Sequence, residues 1–112
     1  NAGNANAEGA GPTSTTRPDP RPEPKIDPEA LESAKRQFMA GRKAIEAKNF
    51  EAAIEHFEAS IGLLPRAASH FNIGLCQEAL DYRQDALESY EAALRLDPEH
   101  AGAAKALTAL RR

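Results

Sequence analysis

The chain has 112 residues, a net charge of −3, 23 alanines and ten leucines, and it contains no valine and no tryptophan. Because β-branched and aromatic residues are scarce, the composition argues against a β-sheet and favours an all-helical domain. The charge is small and shows no basic face, which argues against nucleic-acid binding. No apolar run in the sequence approaches the length of a membrane-spanning helix.

The first quarter of the chain has a different composition from the rest. Residues 1–28 carry six of the eight prolines and no aromatic residue, and from Pro18 to Pro24 every second residue is proline. Each proline fixes its own φ and disfavours the helical region for the residue before it. The composition therefore predicts a disordered or extended tail over residues 1–27.

Three interpretations of this tail stay open. It is an ordinary linker, a spacer that holds a domain away from a membrane anchor, or a segment that docks onto a partner. The alternation of proline with charged residues resembles the spacers of bacterial cell-envelope proteins, which implies the second interpretation.

The rest of the chain contains an internal repeat. Segment 34–66 aligns with segment 67–99 without a gap, and nine of the aligned pairs are identical. The identical pairs are Ala34/Ala67, Phe38/Phe71, Gly41/Gly74, Ala53/Ala86, Glu55/Glu88, Glu58/Glu91, Ala59/Ala92, Leu63/Leu96 and Pro65/Pro98. Glycine inside a helix costs about 1 kcal/mol relative to alanine, so the repeated glycine indicates close approach by a neighbouring helix.

The apolar spacing predicts five helices. They cover 28–47, 50–63, 67–80, 83–96 and 99–111. Asn49 and Asp97 are predicted N-caps, because asparagine and aspartate side chains accept from the first backbone N–H groups of a helix. Asp-Pro-Glu at 27–29 and again at 97–99 is a shared start signal, with proline in the first turn and an acid near the positive helix end.

The repeat resembles the tetratricopeptide repeat family, whose unit is a helix-turn-helix of about 34 residues. The family's glycine, its Ala-x-x-x-Phe/Tyr and its proline are present in both copies. Its leading aromatic and helix tyrosine are missing from both, and the spacing between the copies is one residue shorter than the family's. The aromatic of the turn within each repeat is Phe50 in the first copy and has slipped one place, to Tyr82, in the second.

The resemblance implies an all-α fold, an α-solenoid of two helix-turn-helix repeats plus a C-terminal capping helix, with an extended Pro-rich N-terminal tail. The expected boundaries are a tail over 1–27 and a repeat domain over 28–112. Within that domain we expect repeats at 34–66 and 67–99 and a capping helix at 99–112. Two repeats are few, because each buries its face only on its neighbours, so a homodimer through an unfilled end is an open possibility.

The resemblance also implies a binding groove, because the first helices of such pairs line a concave surface that takes an extended peptide or a partner's helix. By alignment, the groove positions are Lys35, Phe38, Arg42, Ile45 and Glu46 in the first copy, and Ala68, Phe71, Leu75, Glu78 and Ala79 in the second. The capping helix adds Ala101, Ala104 and Lys105. This apolar strip with charged edges suits a hydrophobic peptide or helix. The alternative is that Phe38 and Phe71 simply pack between helices.

One specialised version of the family binds chaperone C-terminal carboxylates through a lysine and asparagine clamp of five places. Asn72 and Lys105 fall on two of these places, whereas Phe38, Arg42 and Ala101 occupy the others. Because basic or amide groups are missing, we expect no such clamp. Asn72 is expected to make a structural hydrogen bond.

No catalytic, cofactor-binding or metal-binding residue is predicted. The three histidines lie on separate predicted helices, and His70 and Cys76 are about 240° apart around one helix. No paired-cysteine, His-Glu-x-x-His or glycine-rich phosphate motif occurs. Cys76 is expected to be an inert buried thiol, and the glutamates of 55–58 and 88–91 are expected to be solvated.

We therefore expect a non-catalytic protein–protein interaction module, an adaptor or assembly subunit that binds a peptide or helix in its concave groove. The alternative is a structural accessory subunit of a larger envelope or membrane complex, docked mainly through its tail. Because the sequence starts at Asn1 rather than Met, we expect a lost upstream segment, which could tether the chain to a membrane. The bacterial periplasm or cell envelope is the expected location, with the cytoplasm as the alternative, and the chain could be a fragment.

Overall fold

In a computed structural model, which describes residues 27–112, the chain forms five α-helices, and no strand occurs in that range. The helices are α1 Pro28–Glu46, α2 Phe50–Leu63, α3 Ala67–Ala79, α4 Arg83–Leu96 and α5 Ala101–Leu110. The all-α prediction is confirmed, and the first four predicted helices match to within one residue at each end. The expectations for residues 1–26 lie outside the described residues.

Side chains set the starts of three helices. Asp27 accepts a hydrogen bond from the Glu29 N–H at 3.1 Å, and Asn49 accepts one from the Ala52 N–H at 3.4 Å. Both satisfy backbone donors that the first helical turn leaves without a partner. These are the caps of α1 and α2.

The prediction that Asp97 caps the last helix is wrong. Asp97 lies at the C-terminal end of α4, where its N–H donates to the Ala93 carbonyl. Its side chain accepts from the Glu99 N–H and closes a turn, and α5 begins only at Ala101. His100 is the N-cap instead, since its Nδ1 accepts from the Ala103 N–H at 3.0 Å.

The helices stack in chain order. The main contacts join α1 to α2, α2 to α3, α3 to α4 and α4 to α5. Such neighbour-to-neighbour packing is the architecture of an α-solenoid. The predicted solenoid with a closing helix is therefore confirmed.

The repeated glycines are points of close helix approach, as the sequence predicts. A Cβ on Gly41 would lie 2.7 Å from the Phe57 ring, and one on Gly74 would lie 2.5 Å from the Tyr90 ring. Both rings are fully buried. In each repeat the two helices therefore pack closely at the point where an aromatic ring lies against a glycine.

The closing helix is one residue out of step with the repeat. Its buried side chains, which are Ala103, Leu107 and Leu110, align with the three buried residues other than Gly74 on α3, which are Ser69, Ile73 and Cys76. Each of these α5 residues lies one position further along the chain from its α3 counterpart than a residue of the second repeat lies from its counterpart in the first. The turn that Asp97 closes adds the extra residue before α5.

Candidate functional site

The groove predicted from the sequence follows one face of α1 and one face of α3. We use "the groove" for the face formed by Lys35, Phe38, Arg42, Ile45 and Glu46 on α1 and by Ala68, Phe71, Leu75, Glu78 and Ala79 on α3. Residues spaced by three, four and seven positions share one side of a helix. Both helices contribute to one buried cluster, since Phe38 and Ile45 of α1 pack against the cluster that contains Ile73 and Cys76 of α3.

Exposure divides the groove into a floor and a rim. The half-buried members are Phe38, Ile45, Ala68 and Phe71. The exposed members are Lys35, Arg42, Glu46, Leu75, Glu78 and Ala79. Leu75, with 39% of its surface exposed, is an apolar side chain that the described residues leave uncovered in this groove.

Both groove phenylalanines are held between helices. The Phe38 ring meets Phe57 edge-on at 5.3 Å between centroids, and the Arg66 guanidinium lies 5.9 Å from its centre. The Phe71 ring lies 5.9 Å from Tyr90 and 5.0 Å from His100. Each ring therefore supports the stacking of the helices and presents only part of its surface to the groove.

Glu78 is held in position by a hydrogen bond from the helix that packs behind α3. The hydroxyl of buried Tyr90 reaches from α4 and donates to Glu78 Oε1 at 2.5 Å. Burial raises the pKa of Tyr90 well above its usual range, and the hydrogen bond to Glu78 and its negative charge add to this rise. The carboxylate thus has a set position, since a charge-assisted hydrogen bond is strong and directional.

The extra residue before α5 shifts the alignment of α5 with the repeats by one position. This shift changes the comparison with the carboxylate clamp. With the longer spacing, the places assigned to Ala101 and Lys105 fall on Gly102 and Ala106, and exposed Lys105 aligns with Phe71. Asn72 Nδ2 donates to the Ala68 carbonyl at 2.9 Å, which is the structural hydrogen bond that the sequence predicts. Of the five clamp places, Phe38, Gly102 and Ala106 then carry no polar side chain, Asn72 is bonded within its own helix, and Arg42 is the one cation.

The structure has a second concavity, a cleft of about 390 Å³ between α2, α3 and α4. The sequence does not predict it. Its charged lining includes Glu58, Asp85, Glu88 and Arg95, and His70 also lines it. Burial lowers the pKa of His70, and the positive charge of Arg95 lowers it further. The lining comes from three helices, so no run of neighbouring residues signals it.

Residues 27–112 contain no cluster of three metal-ligating side chains. Cys76 is fully buried, and burial raises the pKa of its thiol to about 11, which makes it the inert thiol predicted from the sequence. In the same part of the chain no helix is both long and apolar enough to cross a bilayer.

Comparisons with known proteins concern the fold and the second repeat rather than the groove. Residues 67–100 match the family described as "Tetratricopeptide repeat". A TPR domain of Arabidopsis OM64 is similar in structure, with a TM-score of 0.70 and 19% identity over 73% of this chain and 69% of that chain. The first TPR of Spaghetti (RPAP3) bound to HSP90 peptide SRMEEVD gives a TM-score of 0.47 and 15% identity over 72% of this chain and 92% of that chain. No curated protein matches the sequence.

Proposed function

We propose that this chain, which contains a tetratricopeptide repeat at residues 67–100 and has the fold of such domains, is a non-catalytic adaptor or assembly subunit. Tetratricopeptide folds generally mediate protein–protein interaction, and we assign that role here to the groove. The observation that supports this assignment best is Leu75, an exposed leucine between half-buried Phe71 and the fixed carboxylate of Glu78.

The chemistry of the groove suits an apolar segment with polar flanks. Leu75 and the accessible parts of Phe38 and Phe71 offer apolar surface, whose removal from water favours a complex. The rim carries charges of both signs, from Arg42 to Glu78. Such charges set the orientation and register of a bound segment more than they set its affinity.

Leu75→Ser tests this proposal better than a change of either phenylalanine. Phe71 contacts Tyr90 and His100, so its removal would disturb the stacking of the helices as well as any binding. Leu96→Ser is a matched control, because Leu96 is 50% exposed but lies on α4, which does not line the groove.

The measurement begins with a partner recovered from the source cells in near-equal amount to the wild-type chain. Its affinity is then determined for the three purified proteins. We expect Leu75→Ser to bind about tenfold more weakly, as for the loss of one well-buried leucine contact, and Leu96→Ser to bind like the wild type. Equal affinity of Leu75→Ser and wild type would contradict the assignment to the groove.

The tail is the second candidate element. Its support is the alternation of proline with charged residues between Pro18 and Pro24, a pattern typical of extended recognition segments and spacers. These residues lie outside the described range. Deletion of residues 1–26 separates the two candidates: unchanged binding favours the groove, and loss of binding that Leu75→Ser does not cause favours a structural subunit docked through its tail.

We also propose the bacterial periplasm or cell envelope as the location, and this proposal includes tethering to a membrane through an upstream segment. The support is the resemblance of the tail's proline- and charge-rich pattern to envelope spacers. Fractionation of source cells tests it. Recovery of the protein with cytoplasmic markers would contradict it.

A further inference from the structure

The outer face of α1 is uncovered within residues 27–112. We define this face by Lys35, Arg36, Met39, Ala40 and Lys43, which line a concavity of about 460 Å³. Met39 lies at its centre with 61% of its surface exposed. In the solenoid, this is where the second helix of a preceding pair would pack, because α2 packs on the corresponding face of α3.

Comparison of the two repeats shows how the chemistry of this face differs. On α3 the corresponding residues are Ser69, Ile73 and Cys76, which are all buried. The alignment of the repeats places Arg36, Ala40 and Lys43 at these positions on α1. Burying an unpaired cation is costly, so an apolar helix face of the kind that α2 packs onto α3 would not cover this face stably. A partner that supplies carboxylates avoids this cost.

A second copy of the chain does not avoid the cost of burying these cations. An antiparallel, two-fold contact centred on Met39 sets Lys35 opposite Lys43 and Arg36 opposite Arg42. Like charges placed directly opposite each other repel. The face therefore disfavours the homodimer considered from the sequence, at least through this end of the solenoid.

The cations of the face have only weak partners among the described residues. Lys35 Nζ lies 3.9 Å from Glu32 Oε2, and both side chains are more than half exposed. Arg36 donates to the Ser33 hydroxyl at 3.0 Å, which leaves its charge uncompensated. Exposed pairs of this kind contribute little to stability, so both cations can turn toward a partner at small cost.

We propose that the outer face of α1 docks an acidic amphipathic helix of a partner protein. The apolar side of that helix covers Met39 and Ala40, and its carboxylates pair with Arg36, Lys43 and Lys35. Apart from Lys35, which lies at the edge of both surfaces, this face is distinct from the groove, so the chain would hold two partner segments at once, one on each side of α1. The proposal does not depend on what the groove binds.

A synthetic helix tests the proposal directly. The probe has 14 residues, the length of α2, with leucines at one helical stripe and glutamates on both flanks. A matched peptide has glutamine at every glutamate position. Binding is followed by backbone NMR shifts of the full chain at low salt. We expect the largest shifts between Arg36 and Lys43, and about tenfold tighter binding of the glutamate peptide, weakening with added salt.

Charge reversal supplies the matched variants. Arg36→Glu with Lys43→Glu should weaken binding of the glutamate peptide about tenfold or more. Lys48→Glu with Arg112→Glu makes the same change in net charge at two exposed positions away from the face and should leave binding unchanged. Circular dichroism of both variants checks that the helices are intact, and Arg36→Gln with Lys43→Gln repeats the test without added acid.

Several outcomes would overturn the proposal. They are equal affinity for the glutamate and glutamine peptides, equal loss in the control variant, and shifts centred on Leu75 and Glu78. Binding to phosphatidylglycerol vesicles without binding to the peptide would assign the face to a membrane surface instead. Self-association through Met39, detected by light scattering, would assign it to a second copy. Leu75→Ser should not affect the peptide, which keeps this test distinct from that of the groove.

Discussion

The hydrogen bond from the Tyr90 hydroxyl to Glu78 Oε1, at 2.5 Å, has no equivalent in the first repeat, where both partners differ. At the corresponding positions of the first repeat, Phe57 stands in place of Tyr90 and Ile45 in place of Glu78. The two positions thus match each other in both repeats, as a polar pair in one and an apolar pair in the other. The match gives the α3 side of the groove a fixed negative charge that the α1 side lacks at this position.

This matching predicts non-additive effects on stability. Glu78→Ile leaves the buried Tyr90 hydroxyl without a partner, which costs about 1–3 kcal/mol. Tyr90→Phe frees only an exposed carboxylate, which water solvates, and should cost about 1 kcal/mol. The double variant recreates the apolar pair of the first repeat and should be close to the wild type. Urea unfolding of the four proteins measures the coupling, and additive losses would contradict it.

The glycine contacts predict opposite effects of the same substitution at two places. Gly41→Ala should destabilise the chain, because the new Cβ would lie 2.7 Å from the buried Phe57 ring. We expect a loss of about 1–3 kcal/mol, as for overpacking of a core. Gly62→Ala is the control in helix α2, since nothing lies within 4 Å of its Cβ position.

Gly62→Ala should raise the free energy of unfolding by up to about 1 kcal/mol, because alanine is the better helix former. Urea midpoints of both variants report the difference in sign. If Gly41→Ala also stabilised the protein, the helix pair would not depend on the contact between glycine and ring.

The repeated small and aromatic residues made most of the fold predictable. Gly41 and Ala53 recur as Gly74 and Ala86 because close packing of two helices leaves no choice at those places. The start of α5 was not predictable by the same means. Asp-Pro-Glu occurs at 27 and at 97, yet only Asp27 caps a helix, since Asp97 is still bonded to the last turn of α4. Identical local signals give different results when the preceding chain differs.

The candidate site was predictable only in outline. Alignment with the repeat family placed Phe38 and Phe71 on the groove faces, but it did not show that Phe57, Tyr90 and His100 hold their rings. These contacts join different helices, so the spacing of residues along one helix does not predict them. The hydrogen bond between Tyr90 and Glu78 does correspond to a pattern in the sequence, because both positions differ between the two repeats.

The turns inside the two repeats predict a gain from added glycine. Lys48 and Asp81 occupy corresponding positions and both have positive φ, 61° and 67°. A side chain in this left-handed region costs about 1 kcal/mol relative to glycine. Lys48→Gly should therefore raise the free energy of unfolding by up to about 1 kcal/mol. Asp81→Gly should gain less, because aspartate adopts this conformation more readily than lysine.

Lys43→Gly is the control for these turn variants. Lys43 is exposed in the last turn of α1, where it is still helical and glycine should cost up to about 1 kcal/mol. Urea unfolding of the three variants gives the comparison. A loss of stability in Lys48→Gly would show that the lysine side chain, rather than its backbone conformation, determines the energy of the turn.

The buried thiol of Cys76 predicts a loss of stability at alkaline pH. Burial raises its pKa from 9.0 to about 11, and the pKa of buried Tyr90 is also raised, by burial and by Glu78. Above pH 9 the unfolded chain releases the Cys76 proton while the folded chain keeps it, so the folded state binds more protons. The free energy of unfolding is therefore unaffected by this group below pH 9 and falls as the pH rises toward 11.

Urea unfolding between pH 7 and pH 11, compared with Cys76→Ala, isolates this contribution. The variant loses the thiol and some packing, so it should be less stable at pH 7 but should show a shallower decline from pH 9 upward. Tyr90 still contributes at the alkaline end, and Tyr90→Phe in the Cys76→Ala background should flatten the profile further. Parallel profiles for wild type and Cys76→Ala would mean that the thiol titrates alike in the folded and unfolded chain, contrary to its burial.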